Sequence, residues 1–121
     1  KADSAFISAY RKHSSPEEFE IFVEYLAAPP LDNKIWIISD PMLATGNSML
    51  AVYNTLKING TPKKLIIVSA IASSFAIESL KSQLPPNTEF WLGAIDDELT
   101  AQSYIVPGLG DAGDLAFGIK V

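Results

Sequence analysis

The chain has 121 residues, a net charge of −5 and a pI near 4.7. This acidic balance argues against a nucleic-acid partner, because a phosphate backbone is bound by a basic face. Apolar residues make up 48% of the chain and charged residues 19%, so we expect a single domain that covers part of its apolar surface with a partner or a further segment. The absence of cysteine excludes disulfides and thiolate metal sites and suits a reducing cytoplasm.

Neither a signal peptide nor a membrane span is expected. The first residues, Lys1-Ala2-Asp3-Ser4, lack the apolar core of a signal peptide. The longest apolar run, around residues 65–72, is far shorter than the ~20 residues that a membrane-spanning helix needs. We therefore expect a cytoplasmic protein with no membrane partner.

The amino-terminal part of the chain carries alternating patterns. Residues 5–11 alternate between apolar and polar types and predict a strand. Residues 14–28 fit two structures. Ser15-Pro16-Glu17-Glu18 looks like a helix capping box, whereas the apolar residues of 19–25 alternate as in a half-exposed strand. Local chemistry slightly favours the helix, and Pro29-Pro30 ends either element.

The following residues alternate between strand and helix patterns. Continuous apolar runs predict buried strands at 34–39 and 63–70, and a third strand is predicted at 89–94. Helical spacing predicts two helices and a helical turn, at 48–59, 74–83 and 96–102. The first helix places four residues on one face, Met49, Val52, Tyr53 and Leu56, and Gly60 fits just past its end. This order predicts an α/β fold with a parallel sheet and right-handed crossovers.

The loop 40–47 follows the first of these strands and fits a sugar phosphate. Thr45, Gly46 and Ser48 supply hydroxyls and flexible backbone where the next helix presents N–H groups and its positive dipole end. Asp40, at the carboxyl end of the strand, could hold sugar hydroxyls, because ligands of open α/β sheets bind at that edge. Such residues also cap helices without binding anything. The loop is not a Walker A loop, since no lysine follows the glycine.

A glycine-rich segment, residues 108–113, satisfies the spacing G-x-G-x-x-G. The dinucleotide fingerprint needs an acid about 20 residues further on, yet only eight residues remain after Gly113. We therefore interpret the segment as a loop whose bare backbone approaches a flat ligand and reads a base edge. The alternative is a turn that only closes the domain. Two glycine-bearing loops that each follow a strand favour a nucleotide or sugar-phosphate ligand.

Other charged residues have competing interpretations. Arg11 ends a strand, where a guanidinium grips a phosphate or forms a surface salt bridge. Asp40 and Asp111 together could be the carboxylate pair of a glycoside hydrolase, but no aromatic subsite pattern supports a glycan. The acids of 96–98 fit a solvated helix start better than a metal cluster. His13, in a polar loop, is expected to be exposed.

Two motifs resemble the signatures of uracil phosphoribosyltransferases: Asp40-Pro41-Met42-Leu43-Ala44-Thr45-Gly46 and Tyr104-Ile105-Val106-Pro107-Gly108-Leu109-Gly110-Asp111-Ala112-Gly113-Asp114. Ala94-Ile95-Asp96, Tyr10-Arg11 and Phe117-Gly118 fit the same family, so the resemblance spans nearly the whole chain. It implies the type I phosphoribosyltransferase fold, a parallel sheet flanked by helices. It also implies the family reaction, in which uracil and phosphoribosyl pyrophosphate (PRPP) give UMP and pyrophosphate. In this family residues 14–28 correspond to a flap and a strand, which displaces the helix there.

The resemblance assigns residues to two substrates. PRPP would be bound by the residues Arg11, Asp40, Pro41, Met42, Leu43, Ala44, Thr45, Gly46, Asn47, Ser48 and Asp111. Uracil would be bound by Ile105, Gly110, Asp111 and Ala112. Asp40 and Asp111 would be the catalytic carboxylates. Mg²⁺ would arrive on the pyrophosphate, so few or no protein side chains need to bind it directly.

The chain departs from the family pattern at four positions. Asn47 stands in place of a second glycine, Ser103 in place of a glycine, Leu115 in place of Arg or Lys, and Ile119 in place of Thr. The chain also resembles only the carboxyl-terminal part of the family sequence. A further PRPP-binding arginine, the pyrophosphate loop and part of the core belong to the other part. Two functions follow: an enzyme of pyrimidine salvage, expected as a homodimer, or a binding module or fragment with a regulatory or interaction role.

Overall fold

A computed structural model describes residues 2–13 and 19–119, with the backbone alone described at 10–13 and 19–22. The capping-box prediction at Ser15-Pro16-Glu17-Glu18 falls outside the described residues. The chain divides into two compact units. The first contains Lys1–Trp36 and Asn47–Lys64, and the second contains Ile37–Gly46 and Leu65–Val121.

The first unit contains an antiparallel hairpin. Strand β1 (Phe6–His13) pairs with β2 (Phe19–Ala27), with a register shift between Ser8 and Ala9. The rings of Phe6 and Tyr25 lie 6.1 Å apart across the two strands. The strand that the family resemblance implied is confirmed at 19–27, and the helix that local chemistry favoured is wrong there. Cross-strand pairing satisfies the backbone and brings Phe6 beside Tyr25, and this outweighs a local capping pattern.

The same unit contains the first helix, α1 (Asn47–Lys57). Its buried side chains are those that the helical spacing predicted, Met49, Val52, Tyr53 and Leu56. The helix packs against β2 and β1. The Trp36 ring meets Tyr53 edge-on at 6.2 Å, and its indole N–H donates to the Leu31 carbonyl at 2.9 Å. An apolar helix face therefore forms a core with one satisfied indole.

The second unit is organised around a sheet with the strand order β3-β4-β5. These strands are β3 (Ile35–Leu43), most of which lies in this unit, β4 (Lys64–Ser73) and β5 (Glu89–Asp96). The last two strands run parallel, so that Ser73 lies opposite Asp96. Helix α2 (Ser74–Gln83) connects them and buries Ala76, Ile77 and Leu80. The predicted α/β class with a parallel sheet flanked by helices is confirmed.

The continuous apolar runs predicted strands buried on both sides. The structure shows strands that are buried on one side only. Leu43 and Ile67 are 2% and 0% exposed. On the side of β4 opposite Ile67, however, the paired residues Val68 and Trp91 are 37% and 64% exposed, and Ile37 in β3 is 67% exposed. An apolar run shows that a strand can be covered on both faces, but the layers packed on it decide whether it is.

The end of the chain forms a second hairpin and a short helix. Strand β6 (Glu98–Leu99) pairs antiparallel with β7 (Ile105–Val106), and α3 (Ala112–Phe117) follows. The helical turn predicted at 96–102 is therefore wrong. Two backbone bonds of 2.9 Å close a turn instead, from the Thr100 N–H to the Tyr104 carbonyl and from the Ser103 N–H to the Thr100 carbonyl. The helix α3 was not predicted, because its first residues belong to a glycine-rich segment that we interpreted as a loop.

Candidate functional site

Asp40 lies within a strand rather than after it. Strand β3 continues to Leu43, so the connection predicted at 40–47 is reduced to residues 44–46. One carboxylate oxygen of Asp40 accepts a hydrogen bond from the Met42 N–H at 2.9 Å. Burial raises the pKa of Asp40 above its ordinary value of 3.8, and the Met42 bond opposes this rise. The strand thus holds a partly desolvated carboxyl group in a fixed orientation.

The turn 44–46 is anchored on the junction between β4 and α2. The Ser73 hydroxyl donates to the Ala44 carbonyl at 2.5 Å and accepts from the Ala76 N–H at 2.9 Å. Gly46 is buried at φ +82°, where a Cβ would lie 3.0 Å from Cγ of Leu80. Its conformation favours glycine, and a side chain here would also crowd Leu80. The turn therefore has a fixed position in the second unit.

Helix α1 begins at Asn47, directly after this turn. The positive φ angles of the described residues other than glycine are found at Asn33 and Ser103. Asn47 is therefore helical, and the left-handed backbone of this segment lies at Gly46 instead. A second glycine is not required at position 47 by the backbone of this structure.

The glycine-rich segment is held by Asp96, the last residue of β5. Its carboxylate accepts from the Gly108 N–H at 3.0 Å. Gly108 has φ +58°, and a Cβ there would lie 1.9 Å from the Ile105 carbonyl oxygen, so no other residue fits. This role of Asp96 was missed, because the acids of 96–98 suggested a solvated helix start. The resemblance of Ala94-Ile95-Asp96 to the family was the available signal.

Asp111 forms the N-cap of α3. Its side chain accepts from the Asp114 N–H at 2.9 Å, and its carbonyl accepts from the Leu115 N–H at 3.0 Å. Gly110 is exposed at φ +82°, with no heavy atom within 4 Å of where a Cβ would lie. Ala112 is half-buried and Ile105 is buried. Open backbone and an oriented carboxylate therefore lie side by side, as recognition of a flat polar ligand needs.

The two predicted loops lie at the same edge of the sheet. Ser73 and Asp96 face each other in the register of β4 and β5, at the carboxyl ends of both strands. Ser73 holds Ala44 of one loop, and Asp96 holds Gly108 of the other. Ligands of open α/β sheets bind at this edge.

The predicted site residues divide between the two units. The second unit contains most of them, namely Asp40, Pro41, Met42, Leu43, Ala44, Thr45, Gly46, Ile105, Gly110, Asp111 and Ala112. The first unit contains Arg11, Asn47 and Ser48. The backbone of Arg11 belongs to β1, and its side chain lies outside the description.

Two searches of the described part of the chain were negative. Among the described residues, no group of three or more His, Asp or Glu side chains is arranged so that it could hold a metal ion. No helix within residues 2–13 and 19–119 has the length and apolar character needed to cross a membrane.

Comparisons with known proteins point to one family. A family model described as uracil phosphoribosyltransferase matches residues 2–119. A uracil phosphoribosyltransferase of Porphyromonas gingivalis is 50% identical over 119 residues, which cover 98% of this chain and 55% of that protein. The protein of the same name from Methanothermobacter thermautotrophicus is 37% identical over 118 residues, covering 98% of this chain and 53% of its own length.

A solved structure of an Aquifex aeolicus protein superposes on this chain with a TM-score of 0.84. The two sequences are 32% identical, and the match covers 97% of this chain and 54% of the other. The chain thus spans about half the length of the curated relatives and of the solved structure that it matches.

Proposed function

Because the chain belongs to the uracil phosphoribosyltransferase family, we propose that it forms the PRPP and uracil sites of such an enzyme and contributes to the synthesis of UMP and pyrophosphate. The observation that carries this proposal is the position of both loops at neighbouring strand ends, through Ser73 and Asp96. The activity is proposed for the whole protein, since the chain spans about half the length of its relatives.

PRPP would bind with its 5′-phosphate on residues 44–48. This segment offers backbone N–H groups, the hydroxyls of Thr45 and Ser48, and the first turn of α1, all of which suit an anion. Asp40 would face the ribose hydroxyls. Pro41, Met42 and Leu43, which connect Asp40 to residues 44–48, would line PRPP between the ribose and the 5′-phosphate. Arg11 and Asp111 would complete the contacts. The fixed turn at Gly46 supports this assignment, because a preformed cradle loses little entropy on binding.

Uracil would bind at residues 105 and 110–112. Its amide-like edge alternates donors and acceptors, which the exposed backbone of Gly110 and the half-buried backbone of Asp111 and Ala112 would match. The buried Ile105 would support the flat ring. The carboxylate of Asp111, held by the Asp114 N–H, would also face PRPP and so join the two substrates.

The chemistry expected is displacement of pyrophosphate at the anomeric carbon of the sugar through a cation-like transition state. The chain would align the two substrates and place negative charge near the developing cation, through Asp40 and Asp111. Mg²⁺, arriving on PRPP, would neutralise the charge of the leaving pyrophosphate. Mg²⁺ is typically bound by phosphate oxygens and water. A metal carried by PRPP therefore leaves Asp40 and Asp111 available to act on the sugar.

The test is UMP formation from uracil and PRPP with Mg²⁺, comparing the parent with Asp111→Asn. The amide oxygen of asparagine can still accept from the Asp114 N–H and cap α3, so the thermal midpoint should stay within about 2 °C, in line with a loss well below 1 kcal/mol. Turnover should fall by roughly 10²-fold or more, as for other losses of transition-state charge stabilisation. Asp114→Asn, three residues along the same helix, is the matched control and should retain most of the turnover.

Three outcomes separate the alternatives. Turnover in the parent that falls only in Asp111→Asn supports the proposal. PRPP binding without turnover favours the binding module or fragment. A parent that binds neither substrate contradicts the proposed function.

We also propose that the protein acts as a cytoplasmic homodimer. The cysteine-free composition suits a reducing compartment. Support for association comes from the family resemblance and from large exposed side chains such as Phe6 and Phe117, which are 63% and 93% exposed.

A further inference from the structure

Ser73 is a fully buried serine that joins two parts of the second unit. It is 0% exposed and forms the N-cap of α2, with φ −85° and ψ 151°. Its oxygen accepts from the Ala76 N–H at 2.9 Å, which is the ordinary bond of a capping serine. Its hydroxyl also donates to the carbonyl of Ala44 at 2.5 Å. Ala44 lies 29 residues before Ser73 in the sequence.

The second bond is not needed for capping. A cap uses only the acceptor oxygen, and aspartate or asparagine would serve equally well at this position. A serine hydroxyl has one proton, and here that proton is committed to the turn 44–46. The capping requirement therefore explains one of the two bonds, and the other fixes the turn.

Fixing the Ala44 carbonyl also fixes the next amide. The peptide between Ala44 and Thr45 is planar and trans, so its N–H points away from its C=O. With the carbonyl held by Ser73, the Thr45 N–H must point to the opposite side of the turn. On the next residue, Gly46 is buried at φ +82°, in a left-handed conformation that continues the turn.

We propose that Ser73 is a positioning residue for the sugar phosphate, and that it acts by aiming the Thr45 N–H at the 5′-phosphate of PRPP. The inference rests on the proposed function. Ser73 does not touch the ligand; it sets the orientation of the peptide group that does. A substitution that removes the Ser73 hydroxyl therefore weakens PRPP binding. It leaves uracil recognition, which depends on residues 105 and 110–112, unchanged.

The chain offers a matched control in the same strand. Ser69 is also buried, at 5% exposure, and its hydroxyl donates to the Ile71 carbonyl at 2.8 Å within β4. Ser73→Ala should weaken PRPP binding about fivefold, the usual effect of one lost hydrogen bond, whereas Ser69→Ala should leave it unchanged. The measurement is equilibrium titration with PRPP and Mg²⁺, and with uracil, on the protein as purified.

Ser73→Gly separates positioning from capping. Glycine is a good N-cap residue, so α2 should keep its stability in this variant, but it has no proton to donate. A PRPP affinity lowered equally in the glycine and alanine variants supports the proposal. Recovery of the parent's affinity in the glycine variant overturns it, because the effect of alanine would then come from fraying of the helix.

A readout that does not depend on ligand is the ¹³C carbonyl shift of Ala44. Ser73→Ala should change it and Ser69→Ala should not; an Ala44 carbonyl shift that is the same in both variants overturns the inference.

A parent that binds no PRPP overturns the proposed function and the positioning role together. A parent that binds PRPP and a Ser73→Ala variant of equal affinity overturn the positioning role alone.

Discussion

The role that we propose for Asp40 conflicts with its effect on stability. Its carboxyl group has a raised pKa because burial disfavours its charge. The folded protein therefore binds this proton more tightly than the unfolded chain. The resulting stabilisation is complete below the ordinary pKa of 3.8 and is lost as the pH rises through the higher pKa of the folded state. At neutral pH the charged group destabilises the fold.

Asp40→Asn should therefore raise the unfolding midpoint in urea at pH 7 and should weaken PRPP binding. Asparagine can still accept from the Met42 N–H, so the strand should keep its geometry. The stability difference between variant and parent should grow as the pH rises from about 3.8, with the onset set by that ordinary value. A difference that shrinks over this range would show that the charged form of Asp40 is stabilised instead.

At the scale of elements, the turn between β6 and β7 contains a strained residue. Ser103 has φ +65°, in the left-handed region that costs a residue with a side chain about 1–2 kcal/mol. The family resemblance places a glycine at this position, and the backbone explains why. Three bonds involving Thr100 hold the turn in this shape, namely those with the Ser103 N–H, the Tyr104 N–H and the Tyr104 carbonyl.

Ser103→Gly should stabilise the protein by about 0.5 kcal/mol, because relief of strain outweighs the greater freedom of glycine in the unfolded chain. Urea unfolding measures the gain. Ser103→Ala removes the same hydroxyl and keeps the strain, so it should not stabilise. Equal effects of both substitutions would mean that the side chain, and not the backbone, determines the stability of the turn.

The elements also show what can be predicted from sequence. The buried face of α1 follows from its spacing, because Met49, Val52, Tyr53 and Leu56 recur with the helical period. The roles of Ser73 and Asp96 could not be predicted in this way, since their partners Ala44 and Gly108 lie 29 and 12 residues away in sequence. The motif resemblance located the loops and included Asp96, but no local pattern shows that Ser73 and Asp96 hold these loops in place.

For the whole molecule, the outstanding feature is a parallel sheet with one apolar side exposed. Parallel sheets are normally covered on both faces. Here Ile67 is 0% exposed, whereas Ile37 on the neighbouring strand is 67% exposed. The composition, with 48% apolar residues, led us to expect apolar surface covered by a partner or a further segment. The two isoleucines therefore form a matched pair that compares a buried and an exposed apolar residue of the same sheet.

Ile67→Thr should destabilise the chain by about 2–4 kcal/mol, because it removes buried apolar atoms and buries a hydroxyl. Ile37→Thr should change the free energy of unfolding by less than about 0.5 kcal/mol, as for other exposed positions. Urea unfolding at several protein concentrations distinguishes the two cases. A large loss for Ile37→Thr, together with a parent midpoint that rises with concentration, would show that a second copy covers Ile37 in solution. A large loss without concentration dependence would mean that Ile37 is covered within one chain, contrary to the exposure described above.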